Sequence, residues 1–96
     1  MLIAISKYLK PLSDVDEHRP AHHAFLKALL AEGKLIASGR QHDSSGGVIM
    51  VKGLSREEFA ATLAEDPFVK AGASQYTIVE FSLSFYNESF EDLLKD

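Results

Sequence analysis

The chain contains no cysteine and no basic run longer than a single lysine or arginine. The absence of cysteine excludes disulfide bonds, a thiolate nucleophile and a cysteine-ligated zinc site. A net charge of −4 over 96 residues, with the cations scattered, argues against nucleic acid or an anionic membrane as a partner. No apolar run approaches the roughly 20 residues that a membrane-spanning helix needs.

The N-terminal segment does not have the pattern of a secretory signal. No basic cluster precedes its apolar run, and Lys7 interrupts that run. Residues 2–9 alternate and are rich in β-branched and aromatic types, which predicts a first strand. We therefore expect a cytoplasmic protein, with residues 1–96 forming a single small domain.

The remaining segments predict two helices and three further strands. Helices are predicted over 20–32 and 55–66, strands over 34–42, 46–53 and 75–87, a polar connection over 10–20 and an acidic tail with a short final helix over 87–96. The capping box of Ser55 and Glu58 starts the second helix, and Pro67 ends it. The order β-α-β-β-α-β is typical of a ferredoxin-like α+β fold with a four-stranded antiparallel sheet in the order 4-1-3-2.

One position on the first helix is unexpected. Its apolar stripe consists of Phe25, Leu26, Leu29 and Leu30, and one turn earlier the same stripe carries His22. In the predicted topology, the start of the first helix and the end of the second helix lie at the same edge of the sheet. His22 and Asp66 are therefore predicted to meet there, although they are far apart in sequence.

A histidine paired with a carboxylate is suited to general acid–base chemistry. The carboxylate fixes the tautomer and makes the other ring nitrogen the better base. Alternatively, His22 only packs or caps, and Asp66 only stops a helix ahead of proline. A zinc site of His18 and His22 is disfavoured because Pro20 lies between them and Arg19 stands where a helical zinc motif has glutamate. We expect no metal.

Two other chemistries receive little support. Gly39, Gly46 and Gly47 match no nucleotide-binding fingerprint and do not open a helix, so a hairpin turn explains them better. Ser6 and Ser38 are available as nucleophiles, but no nucleophile elbow surrounds either of them.

The strand faces predict an assembly, because two helices cover only one face of a four-stranded sheet. The first strand presents Ile3 and Ile5 on one side, and Leu2, Ala4 and Tyr8 on the other. The last strand presents Thr77, Val79, Phe81, Leu83 and Phe85 on one face, and Tyr76 and Ile78 on a second, semi-apolar face. We expect a homodimer that packs sheet on sheet, with residues 90–94 of the tail crossing to the neighbour.

Five segments together resemble the YciI-like family: PAHHAFL (20–26), EGKLIASG (32–39), GGVIMV (46–51), DPFVKAG (66–72) and YTIVEF (76–81). The resemblance covers nearly the whole chain and implies a fold of the dimeric α+β barrel type, related to muconolactone isomerase. It also implies a His–Asp pair in a cleft, which falls on His22 and Asp66 and not on His23. Relatives usually have proline after the glycine matching Gly39, whereas this chain has Arg40, which would favour a carboxylate or phenolate substrate or else lie in solvent.

Family members of known activity include a dehydrochlorinase that acts on a chlorinated hydroxyquinol and needs no cofactor. The resemblance therefore implies elimination or isomerisation of a small organic molecule without a cofactor, catalysed by His22 and Asp66. Substrate-binding residues are predicted to be Tyr8, Ser38, Gly39, Arg40, Gly47 and Phe68. The alternatives are a non-catalytic small-molecule-binding or accessory module that uses the same cleft, and a monooxygenase of the same superfamily that is independent of heme and flavin.

Overall fold

The structure, a computed structural model, describes residues 1–94. Its elements are β1 (Leu2–Tyr8), α1 (Leu12–Glu17), α2 (Arg19–Ala31), β2 (Leu35–Arg40), β3 (Gly47–Val51), α3 (Arg56–Ala64), α4 (Pro67–Lys70), β4 (Ser74–Glu80) and α5 (Glu88–Leu94). The strands form one antiparallel sheet in the order β2-β3-β1-β4. This confirms the predicted ferredoxin-like α+β fold and its strand order. The end of the predicted acidic tail, Lys95 and Asp96, lies outside the described residues.

The hydrophobic core lies between one face of the sheet and α3. Leu2 and Ala4 of β1 are buried beside Ile49 of β3, and Phe59 and Leu63 of α3 pack onto them. Apolar side chains on alternate strand positions and one helix turn apart produce this arrangement, so the sequence periods and the packing agree. Within residues 1–94, no helix is both long and apolar enough to cross a bilayer.

The helix ends follow the predicted capping signals. Glu58 N donates to Ser55 Oγ at 3.1 Å and Ser55 N donates to Glu58 Oε1 at 2.9 Å, which completes the capping box at the start of α3. The hydrogen bonds that the Glu58 carboxylate accepts from Ser55, first of all from its backbone N–H, lower the pKa of this carboxyl. Gly33, just past the end of α2, has φ +73°, a conformation that glycine adopts without a Cβ penalty.

Segment 10–20, predicted as a polar connection, contains a helix, α1. Val15 near its middle is fully buried against Phe68 and Ala73. One buried side chain produces no apolar period from which a helix could be predicted. The correction bears on the site because α1 carries Asp16 just ahead of α2.

The last strand is shorter than predicted. β1 pairs with β4 from Tyr8 to Leu2, so this pairing ends at Glu80, and one further backbone pair joins Phe81 to Met1. Residues beyond Phe81 leave the sheet, and Phe85, predicted on a strand face, is 98% exposed. The short final helix predicted in the tail is present as α5.

The strand register decides which face of the sheet the helices cover. Tyr76 and Ile78 of β4 pack against the core on the covered face. Ile5 and Val79 lie on the opposite, open face and are each 41% exposed. The sequence also placed Leu30 on the buried stripe of the first helix, but this side chain is 59% exposed.

Candidate functional site

A cleft of about 420 Å³ opens at the edge of the sheet where β1 and β2 end and α2 begins. It is lined by every predicted site residue except Asp66, namely Tyr8, His22, Ser38, Gly39, Arg40, Gly47 and Phe68. Asp66 lies behind them and is fully buried. The structure thus brings the predicted residues to one place, while their roles in binding and catalysis stay predictions.

The Asp66 carboxylate accepts three hydrogen bonds. Oδ1 accepts from the backbone N–H of Phe68 at 3.0 Å, which caps α4, and also contacts His22 Nδ1 at 2.9 Å. Oδ2 accepts from the hydroxyl of Tyr76 at 2.5 Å. A buried carboxylate is stable only when such donors replace the water it has lost, and here three elements supply them.

The imidazole of His22 is fixed by an edge contact and a face contact. Because a carboxylate oxygen only accepts, Nδ1 carries the proton and donates to Asp66. The ring stacks on Phe68 with a centroid separation of 4.0 Å and an interplanar angle of 11°. His22 is 12% exposed in its side chain, lines the cleft, and has no hydrogen bond at Nε2 from any residue the structure describes. With Nδ1 engaged in this way, the neutral form of the ring has its lone pair at Nε2, facing the cleft.

Tyr76 is a member of this network that the sequence did not single out. Burial, together with the negative charge of Asp66, raises the pKa of its hydroxyl above the usual range for tyrosine. The hydroxyl therefore remains a proton donor to Asp66 Oδ2 throughout the neutral range. The available signal was its position at the start of the last strand, but the sequence analysis placed Tyr76 only on the second, semi-apolar face of that strand.

The floor of the cleft is built by a close approach between β1 and the loop before β3. Gly47 N donates to Ser6 Oγ at 2.7 Å, and Gln41 Nε2 donates to Ser6 O at 3.1 Å. A Cβ on Gly46 would lie 1.9 Å from Ser6 O, so only glycine fits at that position. Ser6 Oγ is thus bonded to the Gly47 backbone and not to His22, which disfavours Ser6 as an activated nucleophile.

Two arginines stand at the mouth of the cleft. Arg40 was predicted there, whereas Arg19, at the start of α2, was not. Arg19 Nε donates to Asp16 Oδ1 at 3.0 Å, and Arg40 Nη2 lies 4.0 Å from the same oxygen. Arg19 is one helical turn before His22, so its helix position was a usable signal, but its partner Asp16 lies on a helix that the sequence did not predict.

The other histidines near the cleft are His18 and His23. His18 lies at the junction of α1 and α2, and His23 is exposed at the cleft with its ring centroid 6.2 Å from that of His22. No group of three or more potential ligands among histidine, cysteine, aspartate and glutamate is found in the described part of the chain. The i, i+4 spacing of His18 and His22 is therefore not accompanied by a third potential ligand in the described residues.

The fold and the cleft place the protein in a class, the small ferredoxin-like α+β domains. A family model described as the YCII-related domain matches residues 1–82. The chain belongs to this family, as the sequence resemblance indicated.

Two comparisons with individual proteins accompany the family match. The chain is 39% identical over 67 residues to the uncharacterized protein YjpA of Bacillus subtilis (strain 168), a match that covers 70% of this chain and 79% of that protein. The solved structure of 5-chloro-2-hydroxyhydroquinone dehydrochlorinase (TftG) from Burkholderia phenoliruptrix AC1100, in complex with 2,5-dihydroxybenzoquinone, is similar with a TM-score of 0.70 and 24% identity. That match covers 88% of this chain and 96% of the other. At this identity the similarity establishes the fold.

Proposed function

We propose that this protein is a cofactor-independent enzyme in which His22 moves a proton to and from a small organic molecule, while Asp66 holds the imidazole. The observation that carries the proposal is the 2.9 Å contact between His22 Nδ1 and Asp66 Oδ1. Because Nδ1 is engaged, Nε2 is the nitrogen left for a ligand in the cleft. The buried position of Asp66 and its other two donors keep the carboxylate in one place for this role.

The chemistry follows from the state of the ring. Neutral His22 accepts a proton at Nε2, and the electron pair of the broken C–H or O–H bond stays on the substrate. The imidazolium that forms is next to the Asp66 carboxylate, which stabilises its positive charge. Return of the proton to a different atom gives isomerisation. Departure of a leaving group with its bonding electrons gives elimination.

The structural neighbour suggests a first substrate to assay, 5-chloro-2-hydroxyhydroquinone. Loss of HCl from this compound releases chloride, which keeps the electron pair of the C–Cl bond, and one proton. We expect purified protein, without added metal or cofactor, to release chloride from this compound or from related chlorinated hydroquinones. His22→Gln and Asp66→Asn should each lower the rate about 100-fold or more, since general acid–base catalysis contributes that much.

His42→Gln is the matched control, because His42 is an exposed histidine outside the cleft lining. It should turn over substrate like the wild type, and far-UV circular dichroism should report the same fold for all variants. Wild-type turnover in the His22→Gln protein would contradict the proposed mechanism.

A second candidate function is a non-catalytic binding module. The observation that favours it is the cap at α4: Asp66 bonds Phe68 N and Tyr76 as well as His22, so the carboxylate has a structural use without catalysis. This candidate predicts saturable binding of 2,5-dihydroxybenzoquinone, followed by NMR, with no product formed. It also predicts that His22→Gln retains binding, because glutamine can still hydrogen-bond.

We further propose that the protein is a homodimer joined through the open face of the sheet. Apolar side chains alternate with the buried ones along the paired strands: Ile3 is opposite Met50 and Val79, and Ile5 is opposite Val48. A semi-exposed apolar sheet face of this kind is stabilised when a second copy covers it. The crossing of residues 90–94 to the neighbour remains a part of this proposal.

The test of the dimer is the mass in solution. Wild-type protein should sediment at twice the chain mass of 10.6 kDa, and Ile5→Lys, in the middle of the open face, should sediment as a monomer. Leu30→Lys places the same charge on an exposed leucine of α2 and should remain dimeric. A monomeric wild type, or an Ile5→Lys variant that is still dimeric, would contradict this interface.

A further inference from the structure

We infer that the cleft selects small organic anions, carboxylates or ionised phenols, and that Arg19 and Arg40 together bind the anionic group. The inference rests on the proposed function and deepens it by naming the class of substrate. It starts from the two guanidinium groups at the cleft mouth, only one of which the sequence indicated.

The charges of the cleft differ from those of the chain as a whole. The chain has 14 acidic and 10 basic residues. Among the described residues that line the cleft, however, Arg19 and Arg40 are cationic and none is aspartate or glutamate. Asp66 is buried behind His22 and is engaged by its three donors. A cavity lined by one sign of charge raises the local concentration of ligands of the opposite sign.

The two guanidinium groups converge on a single carboxylate oxygen. Asp16 Oδ1 accepts from Arg19 Nε at 3.0 Å and lies 4.0 Å from Arg40 Nη2. Arg19 belongs to α2 and Arg40 to β2, so the fold brings together two cations from separate elements. Asp16 is an internal stand-in for the anionic group, and its side chain is mostly exposed. An ion pair whose carboxylate is mostly exposed is weak, so a ligand can replace Asp16.

Asp16 does not fully satisfy Arg19. Nη2 of Arg19 lies 2.9 Å from Asp16 Oδ1, the oxygen that already accepts from Nε, and this buried nitrogen makes no well-formed hydrogen bond with any of residues 1–94. A buried donor without an acceptor is unfavourable. A ligand carboxylate supplies two oxygens in the fork geometry that a guanidinium prefers, which Asp16 does not provide here.

Phe68 connects the anion site to the reacting group. The Arg19 guanidinium carbon is 5.5 Å from the centroid of the Phe68 ring, and His22 stacks on the same ring at 4.0 Å. A small molecule held by Arg19 therefore has its neighbouring atoms at His22. When His22 removes a proton, the negative charge left on the substrate is stabilised by the nearby guanidinium groups.

The test compares charged ligands with neutral ligands of the same shape, by isothermal titration calorimetry. Benzoate against benzamide probes a carboxylate, and 4-nitrophenolate against 4-nitroanisole in mildly alkaline buffer probes an ionised phenol. We expect each anion to bind about tenfold or more tightly than its neutral counterpart, as a charge-assisted hydrogen bond provides. Added salt should weaken the binding of the anions only.

Variants assign that preference to the arginines. Arg19→Gln and Arg40→Gln should each weaken anion binding about tenfold and leave binding of the neutral ligands unchanged. Arg56→Gln removes an exposed arginine of α3 outside the cleft lining and is the matched control, with no change expected. Asp16→Asn should tighten anion binding, because the competing carboxylate is removed.

The outcomes separate this inference from the proposed function. Equal binding of anions and neutral ligands, or binding insensitive to both arginine variants, overturns the anion site and leaves the chemistry of His22 standing. Weaker anion binding in Asp16→Asn also overturns it, since Asp16 would then serve only to position the arginines. If anions bind in an arginine-dependent way but no substrate screen gives turnover, the anion site is supported and the proposed enzymatic function is contradicted.

Discussion

Asp66→Ala should destabilise the fold by about 3–7 kcal/mol, because three donors lose their common acceptor. Loss of the cap at Phe68 N accounts for about 1 kcal/mol. The Tyr76 hydroxyl and the His22 Nδ1–H are left without an acceptor, which costs about 1–3 kcal/mol each. The sum is a large part of the roughly 5–15 kcal/mol that stabilises a typical domain.

Asp66→Asn should cost much less, about 1–2 kcal/mol, because it removes charge while keeping the geometry. The amide oxygen can accept from Phe68 N and His22 Nδ1, as Oδ1 does now. The amide nitrogen can donate to the Tyr76 oxygen, whose proton is then free to turn away. The isosteric variant thus keeps one hydrogen bond to each of the three groups that Asp66 contacts.

The assay is urea unfolding followed by far-UV circular dichroism, since the chain has no tryptophan to report by fluorescence. Glu65→Gln is the control: it removes an adjacent but exposed carboxylate whose ion pair with Lys70 contributes below about 1 kcal/mol. Equal losses of unfolding free energy in the Ala and Asn variants would refute the hydrogen-bond argument. So would an Ala variant no less stable than the Glu65→Gln control.

Two further perturbations test neighbouring parts of the site. Tyr76 has a raised pKa in the fold through burial and the charge of Asp66, so its stabilising contribution is complete below the unfolded value of about 10 and is lost as pH rises above it. The urea midpoint of the wild type should therefore fall more steeply above about pH 10 than that of Tyr76→Phe, and equal slopes would contradict the role of burial. Gly46→Ala should destabilise by about 3 kcal/mol through overlap with the Ser6 carbonyl. Gly39→Ala, where an added Cβ meets nothing within 4 Å, should change the unfolding midpoint little, and equal effects would refute the steric reason.

The fold was predictable because its signals are local and agree with one another. The capping box at Ser55, the glycine after the first helix and the proline after Asp66 mark helix ends through backbone chemistry that does not depend on tertiary structure. The order of elements then restricts the topology, and the topology brings His22 and Asp66 to one edge. Topology alone predicts that His22 and Asp66 share an edge of the sheet, but it does not predict that their side chains are in contact.

The parts that were not predictable depend on register and on side-chain direction. Both faces of the last strand carry apolar residues, so the choice between the Tyr76 face and the Val79 face is made by pairing with β1. This choice is why Tyr76 was missed as a partner of Asp66. Arg19 was missed because its direction depends on Asp16 and α1, a helix buried through Val15 alone.

The tripeptide Asp66–Pro67–Phe68 explains why a helix-capping turn and the contact with His22 coincide in this fold. Asp66 is extended, with φ −60° and ψ 127°, and Pro67 starts α4, so Phe68 N–H turns back onto Asp66 Oδ1. The same turn brings the carboxylate to the edge of the His22 ring and the phenyl group to its face. The same carboxylate therefore caps α4 and holds the His22 ring. Asp66 can end a helix and be the partner of His22 at the same time. The structural role and the functional role differ at His22 Nε2, because capping α4 does not involve this nitrogen. A reaction or a bound ligand at Nε2 is therefore the observation that distinguishes an active site from a turn that only stabilises the fold.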